Sequence, residues 1–400
     1  MDLIPSAARH RRLTLAVLMA ASFSLPPAST ARAQPGVAVD TAEGPVVGVA
    51  GDAATAWKGI PFAAPPVGGL RWRPPAPALH RSSPLDATAF GPACPQSTAF
   101  EIPGLPTPPA GNRGAEDCLQ LNIWAPNSRP DGLAVMFWIH GGGMIQGSGT
   151  DAPYDGATLA ASENVVVVTT NYRLGALGFL AHSAFMGEQS DHPGAGNYGL
   201  LDQIAALRWV KANIAGFGGD PGRVTIFGES AGGVSVCALL AAPAAAGLFQ
   251  RGIMESGNCS PRLPSLDPAT HPGPPALRQG DRFAEAIGCA EAADVATCLR
   301  AQPVDKILAT LPGEIGVLNP TAEVYGPIVD GTLLAETPGE AIAAGHEQGV
   351  PFILGANADE ATIFTAAFQN LTAAQYEALV RLTFPEYADR ALALYPASAY

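Results

Sequence analysis

Gly228-Glu229-Ser230-Ala231-Gly232 sets a serine between two glycines in the pattern G-x-S-x-G. Val224 to Phe227, just before it, is a short β-branched and aromatic run and predicts a buried strand. Ala231 to Leu240, just after it, is apolar and rich in small residues, as a buried helix would be. A bare motif would leave room for a glycine-rich turn with an incidental serine, a reading that the context here disfavours. Strand, tight turn and helix together make it a nucleophile elbow, where a strained turn pushes the serine hydroxyl out at the end of the strand. The chemistry open to such a serine is attack on a carbonyl carbon. For that Ser230 needs a base to take its proton, an acid to orient the base, and N–H donors for the oxyanion.

The donors are readable. His140-Gly141-Gly142-Gly143 directly follows the apolar run Leu133 to Ile139. Glycines there let the backbone approach a substrate oxygen closely, and a loop of this type after an early strand supplies oxyanion N–H groups. Gly142 and Gly143 are assigned that role, with the N–H of Ala231 as third donor. The acid is expected beyond Ser230, at the end of a later strand. Phe352 to Gly355 is an apolar strand, and Asn357-Ala358-Asp359-Glu360 follows it with two carboxylates. Asp359 suits a helix N-cap, which leaves Glu360 as the acid.

These residues need a scaffold of strands and helices. Val37 to Val49 reads as a hairpin around Glu43-Gly44-Pro45, and Leu121 to Trp124 as a strand. Leu133 to Ile139 and Val165 to Thr169 are continuous apolar runs, hence central strands covered on both faces. Leu200, Ile204, Leu207 and Val210 share one helical face. Gly252 to Ser256 is a further strand, and helices are expected at 279–287, 304–311, 338–344, 371–382 and 386–394. Pro95 to Arg113 is a loop without periodicity, and Pro261 to Pro275 reads as a surface insertion. Strands alternating with helices predict an α/β fold with a mostly parallel sheet.

Composition sets the outer limits. The 400 residues are 48% hydrophobic and 14% charged, with a formal charge of −13. An acidic chain without a basic cluster argues against nucleic acid as a partner. Residues 1–33 read as a signal peptide: Arg9, Arg11 and Arg12 precede the apolar stretch Leu13 to Leu25, and Ala31-Arg32-Ala33 is an A-x-A cleavage site. Residues 34–400 then form one domain without an internal repeat, and no later stretch looks membrane-spanning. An exported chain keeps disulfides. Cys94 with Cys118 brackets a Pro/Gly-rich loop and Cys289 with Cys298 a short segment, so both pairs suit local clips. Cys237 is expected to be buried and free. No C-x-x-C is present, and neither metal nor cofactor is expected.

From about Val37 to Tyr400 the chain resembles the type-B carboxylesterase/lipase family, the cholinesterase-like branch of the α/β-hydrolases. The segments that carry this are Lys58-Gly59-Ile60-Pro61-Phe62-Ala63-Ala64-Pro65-Pro66, Glu116-Asp117-Cys118-Leu119-Gln120-Leu121-Asn122, His140-Gly141-Gly142-Gly143, Asn171-Tyr172-Arg173, Asn197-Tyr198-Gly199-Leu200-Leu201-Asp202-Gln203, the elbow, and Asn357-Ala358-Asp359-Glu360. The resemblance implies an α/β-hydrolase fold, Ser230 as nucleophile, Glu360 as acid and the oxyanion donors already named. It also implies Cys94–Cys118 and Cys289–Cys298 disulfides, a pocket-lining Glu229 beside the nucleophile, and a small carboxylic ester as substrate.

One departure is large. The family's catalytic histidine lies beyond the acid, but all seven histidines here precede Glu360: His10, His80, His140, His182, His192, His271 and His346. The expectation is a secreted or periplasmic serine esterase whose C-terminal part, with its general base, is missing from this sequence. Poor solubility is expected to follow from an uncovered sheet edge. The alternative is a non-catalytic cholinesterase-like binding or adhesion protein. A metal-dependent hydrolase using His182, Asp191 and His192 rests on clustering alone. The loop between Cys94 and Cys118 has Phe100 as its one aromatic residue, which disfavours a quaternary-ammonium ester.

Overall fold

Small and apolar residues alternating around Glu43-Gly44-Pro45 pair as a hairpin, β1 (Gly36–Val39) with β2 (Val46–Ala50). The structure is a computed structural model that describes residues 36–97, 111–128, 130–188, 194–259, 263–269, 271, 273–314, 323–360, 362 and 370–399. The segment 1–33 expected to be a signal peptide lies outside them, as do Phe100, Asp191 and His192. Strand β3 (Ala54–Pro61) follows, with short strands β4 (Leu85–Asp86), β5 (Gln96–Ser97) and β6 (Asn112–Arg113). β5 and β6 pair with each other, so the expected loop from Pro95 to Arg113 is closed at its base by a two-stranded ribbon.

The apolar runs become β7 (Gln120–Pro126), β8 (Leu133–Ile139), β9 (Val166–Thr170), β10 (Gly219–Glu229), β11 (Arg251–Glu255) and β12 (Phe352–Gly355). The main sheet runs β1-β2-β3-β7-β9-β8-β10-β11-β12, with β4 beside β2. From β1 to β9 neighbours along that path are antiparallel. From β9 through β8, β10 and β11 to β12 they are parallel. Register aligns Ile139, Gly228, Met254 and Leu354 across the parallel strands, so the chain leaves β8, β10, β11 and β12 side by side at one end of the sheet. That carboxyl end is where an open α/β sheet presents its ligand-binding groups.

Helix α1 (Ala157–Glu163) covers one face of the sheet, with Ala160 and Val167 in a small cluster. Next along the chain come α2 (Gly175–Phe179), α3 (Tyr198–Asn213) and α4 (Ala231–Ala241). α3 and α4 are buried on most sides because each packs within the main core. The four residues expected on one face of α3 are buried, and so are Asp202 and Gln203. Asp202 accepts hydrogen bonds from Arg173 Nε at 2.8 Å and Nη2 at 2.7 Å, while Gln203 Nε2 donates to Ser235 Oγ of α4 at 3.0 Å.

After β11 come α5 (Ala276–Ile287), α6 (Val295–Arg300), α7 (Val304–Ala309) and α8 (Pro338–Ala344), then helices at Ala373–Thr383 and Ala388–Leu394. The Pro261 to Pro275 stretch is more than a surface insertion. Leu263 joins the core and Ser265 is buried, because the Ser265 backbone bridges to both Pro275 and Val329. Disulfides join Cys94 to Cys118, Cys289 to Cys298, and Cys237 to Cys259. The last of these corrects the expectation of a free Cys237. The sheet brings the end of β11 against α4, and Cys259 follows that end closely.

Candidate active site

Ser230 stands between β10 and α4 with φ 54° and ψ −119°, a conformation rarely tolerated by a residue with a Cβ. Such a conformer costs about 1–3 kcal/mol and persists only where its surroundings hold it. Here the Ser230 N–H donates to Glu255 O of β11 at 2.9 Å, and Ser230 O accepts from Val234 N–H at 3.0 Å. The neighbouring glycines are required by contact. A Cβ on Gly228 would sit 2.6 Å from the Gly232 backbone, and one on Gly232 would sit 2.0 Å from Ile139 O. The turn is therefore pressed against the end of β8 with no room for a side chain.

The loop after β8 lies against the elbow. A Cβ on Gly141 would fall 2.8 Å from Glu229 O and 3.2 Å from Ser230 Cβ. Gly142 and Gly143 take positive φ, 101° and 64°, and Gly142 O accepts from the N–H groups of Ile145 and Gln146, both at 3.1 Å. Among the described residues, neither the Gly142 N–H nor the Gly143 N–H meets an acceptor. Ala231, the third assigned donor, opens α4, where the first N–H groups lack partners within the helix.

Side chains that the sequence reasoning left without a role hold this loop. Tyr172 donates its hydroxyl to His140 O at 2.9 Å and stacks on the His140 ring. Asn171 Oδ1 accepts from Ser148 Oγ and from Gly149 N–H, at 3.0 and 2.9 Å. Gln96 clamps Gly147 from both sides, accepting its N–H and donating to its carbonyl, each at 2.8 Å. The visible signal for Asn171 and Tyr172 was polar groups directly after a buried apolar strand. Gln96 carried none.

The residue expected as the acid follows β12, beside the end of β11. Glu360 is exposed; Asn357 N–H donates to its Oε1 at 2.8 Å, and Ser256 hydrogen-bonds its side chain. Those bonds, the one from Ser256 first, hold the Glu360 carboxyl below the usual glutamate range. Ser256 itself has φ 48° and accepts from Asn357 Nδ2 at 3.2 Å. Glu229, half-buried at the elbow, is shifted the other way: burial raises its pKa first, then the charges of Glu360 and Glu255. The two carboxylates, which feel one another's charge, are thus held apart in acidity, with Glu360 ionised more readily than Glu229.

No described histidine hydrogen-bonds to Ser230 or Glu360. His140 is buried, and its Nδ1–H donates to Gly141 O at 2.9 Å; desolvation lowers its pKa to about 4. His182 Nδ1 accepts from Ala184 N–H, and His346 pairs with Glu336 on the surface. Among the described residues no group of three or more His, Cys, Asp or Glu could hold a metal ion.

Residues 35–391 match the profile of the carboxylesterase family. The chain is 41% identical over 336 residues to a para-nitrobenzyl esterase of Bacillus subtilis (strain 168), covering 82% of this chain and 63% of that protein. It is 40% identical over 366 residues to a fumonisin B1 esterase of Sphingopyxis macrogoltabida, covering 90% of this chain and 63% of that one. Among solved structures, a para-nitrobenzyl (PNB) esterase superposes with a TM-score of 0.74 at 39% identity, over 91% of this chain and 72% of its own. A carboxylesterase of Geobacillus stearothermophilus does so with 0.70 at 38% identity, over 86% and 67%. The chain therefore spans less than two thirds of the length of these two curated relatives.

Proposed function

Because the chain belongs to the carboxylesterase family, we propose that it is a serine carboxylic-ester hydrolase working through an acyl-enzyme on Ser230. The observation that carries this is the strained backbone of Ser230, held against a glycine loop whose Gly142 and Gly143 N–H groups meet no acceptor among the described residues. In the first half-reaction Ser230 Oγ attacks the ester carbonyl carbon and loses its proton to a histidine. The carbonyl oxygen becomes an oxyanion held by the N–H groups of Gly142, Gly143 and Ala231. The C–O bond to the alcohol then breaks, and the histidine returns the proton to that leaving oxygen. Water repeats the sequence on the acyl-enzyme and releases the carboxylic acid. Glu360 orients the histidine and balances its charge. None of the described histidines is placed for this step, so the scheme draws its base from outside the described residues.

The substrates are small carboxylic esters. Both relatives are named esterases, and the ester carbonyl is the group that this reading carries over. We also infer an oxidising destination, secreted or periplasmic: three disulfides fit that setting, and no described helix is long and apolar enough to cross a membrane.

The test is labelling of the full-length gene product with a fluorophosphonate, the modified peptide being located by mass spectrometry. One adduct, on the peptide containing Ser230 and lost in Ser230→Ala, is expected. No adduct would sink the esterase reading and favour a binding protein that retains the fold.

A further inference from the structure

The third disulfide joins the helix that follows Ser230 to the loop that follows β11. Cys237 sits in α4, two turns beyond Ser230, and Cys259 lies in the loop that leaves β11. Their Cα atoms are 5.1 Å apart. The loop is flattened onto the helix before the bond is reached. A Cβ on Gly257 would fall 3.0 Å from the Gly233 backbone, so the two glycines meet main chain to main chain. Gly257 N–H points to Met254 Sδ at 3.1 Å, which closes the turn under the helix. Cys237 lies one helical turn past Gly233 on the same face, and Cys259 two residues past Gly257, so the disulfide completes the contact that the glycines begin.

This loop also carries Ser256, whose backbone is left-handed and whose N–H donates to Gly355 O at 2.8 Å. Ser256 Oγ accepts from Asn357 and its side chain hydrogen-bonds Glu360. A displacement of the loop therefore reaches the acid within two hydrogen bonds. The other disulfides do not reach Glu360 in this way: Cys94 O and Cys118 O accept from Gln96 and Asn171, which hold the loop after β8, and Cys289–Cys298 joins the end of α5 to α6.

We propose that Cys237–Cys259 is a positioning bond of the active site, fixing the Ser256 loop, and through Ser256 the carboxylate of Glu360, to the helix that begins at Ser230. The proposal rests on Ser230 and Glu360 being nucleophile and acid. Its readouts need no turnover, so a failure of Ser230 to label would count against the esterase reading alone.

The experiment compares the wild-type chain with Cys237→Ala/Cys259→Ala. A non-reducing peptide map should first find residues 237 and 259 joined in the wild type. In the variant, amide exchange at 255–259 and 355–360 should rise about tenfold while β8 and α3 stay within about twofold. The titration midpoint of Glu360, followed by 13C NMR and assigned with Glu360→Gln, should move up as the Ser256 bond is lost. Glu229 is the charged group that faces Glu360 from the elbow, and repeating the titration in Glu229→Gln separates its influence. Should the double variant not fold, Cys259→Ser breaks the bond while keeping the buried volume of Cys237. Free thiols at both positions in the wild type would overturn the proposal. So would an unchanged Glu360 midpoint, whether exchange is unaltered or rises evenly through the domain, because an even rise marks a staple of general stability.

Discussion

His140 shows how far a single residue's surroundings can change its chemistry. The residue is 1% exposed, and its ring stacks on Tyr172 with centroids 4.4 Å apart. Burial lowers its pKa from 6.5 to about 4. Between those values the unfolded chain binds a proton that the folded one refuses, so this histidine's contribution to stability falls as pH drops through the window. The full shift is worth about 3 kcal/mol. Urea unfolding followed from pH 7 to pH 4 should show a loss of that order, and His140→Phe, which keeps the stack, should flatten it. The same residue explains what could be read at this scale. Ser230, Gly142 and Gly143 were legible because their motifs are local: neighbours in sequence do the work. Ser256 was not, because its partners Asn357 and Glu360 are brought to it by the pairing of β11 with β12. Glu360 was expected from chain order and resemblance, and was preferred to Asp359 only because Asp359 suits a helix N-cap.

At the scale of elements, the elbow depends on close approach. Gly232 brings the start of α4 against Ile139, where an added Cβ would meet the carbonyl oxygen at 2.0 Å. A backbone carbonyl cannot rotate away as a side chain can. Gly232→Ala should destabilise the domain by about 3 kcal/mol, seen as a lower urea midpoint, and should displace Ser230 before it unfolds the sheet. Most strands and long helices were visible in the sequence, β8 and β9 as continuous apolar runs, α4 as an apolar run of small residues and α3 by its helical face. α8 also carries a capping box, Thr337 with Glu340, ahead of its apolar face. Among the helices the misses were α1, α2 and α6, of seven, five and six residues, and among the strands β3 was not anticipated. Helices that short complete no more than about two turns, so periodicity gives only a weak signal for them. Cys237 was misjudged for the related reason that its partner comes from another element.

At the scale of the whole molecule, the sheet's exposed margin sets how the chain behaves in solution. β12 stands at the end of the strand order, with Ile353 64% and Leu354 66% exposed. Register places Ile353 in one row with Ile253 and Phe227 on the same face of the sheet. An apolar edge strand of this kind recruits other edges. Light scattering of residues 34–400 should show association that grows with concentration, and Ile353→Lys should reduce it without altering unfolding by urea. If the wild type stays monomeric at high concentration, that expectation fails. Against this open margin stand the disulfides, whose partners are 24, 22 and 9 residues apart. Loops of the two longer lengths correspond to about 3 kcal/mol each.

Six cysteines can pair in fifteen ways, and this chain uses the one in which each bonds to the next in sequence: 94 with 118, 237 with 259, 289 with 298. A chain emerging N-terminus first meets its partners in that same order. An oxidant acting as the polypeptide arrives would find only the correct second thiol available each time. The set can then be completed without reshuffling, and an isomerase should add little to the yield.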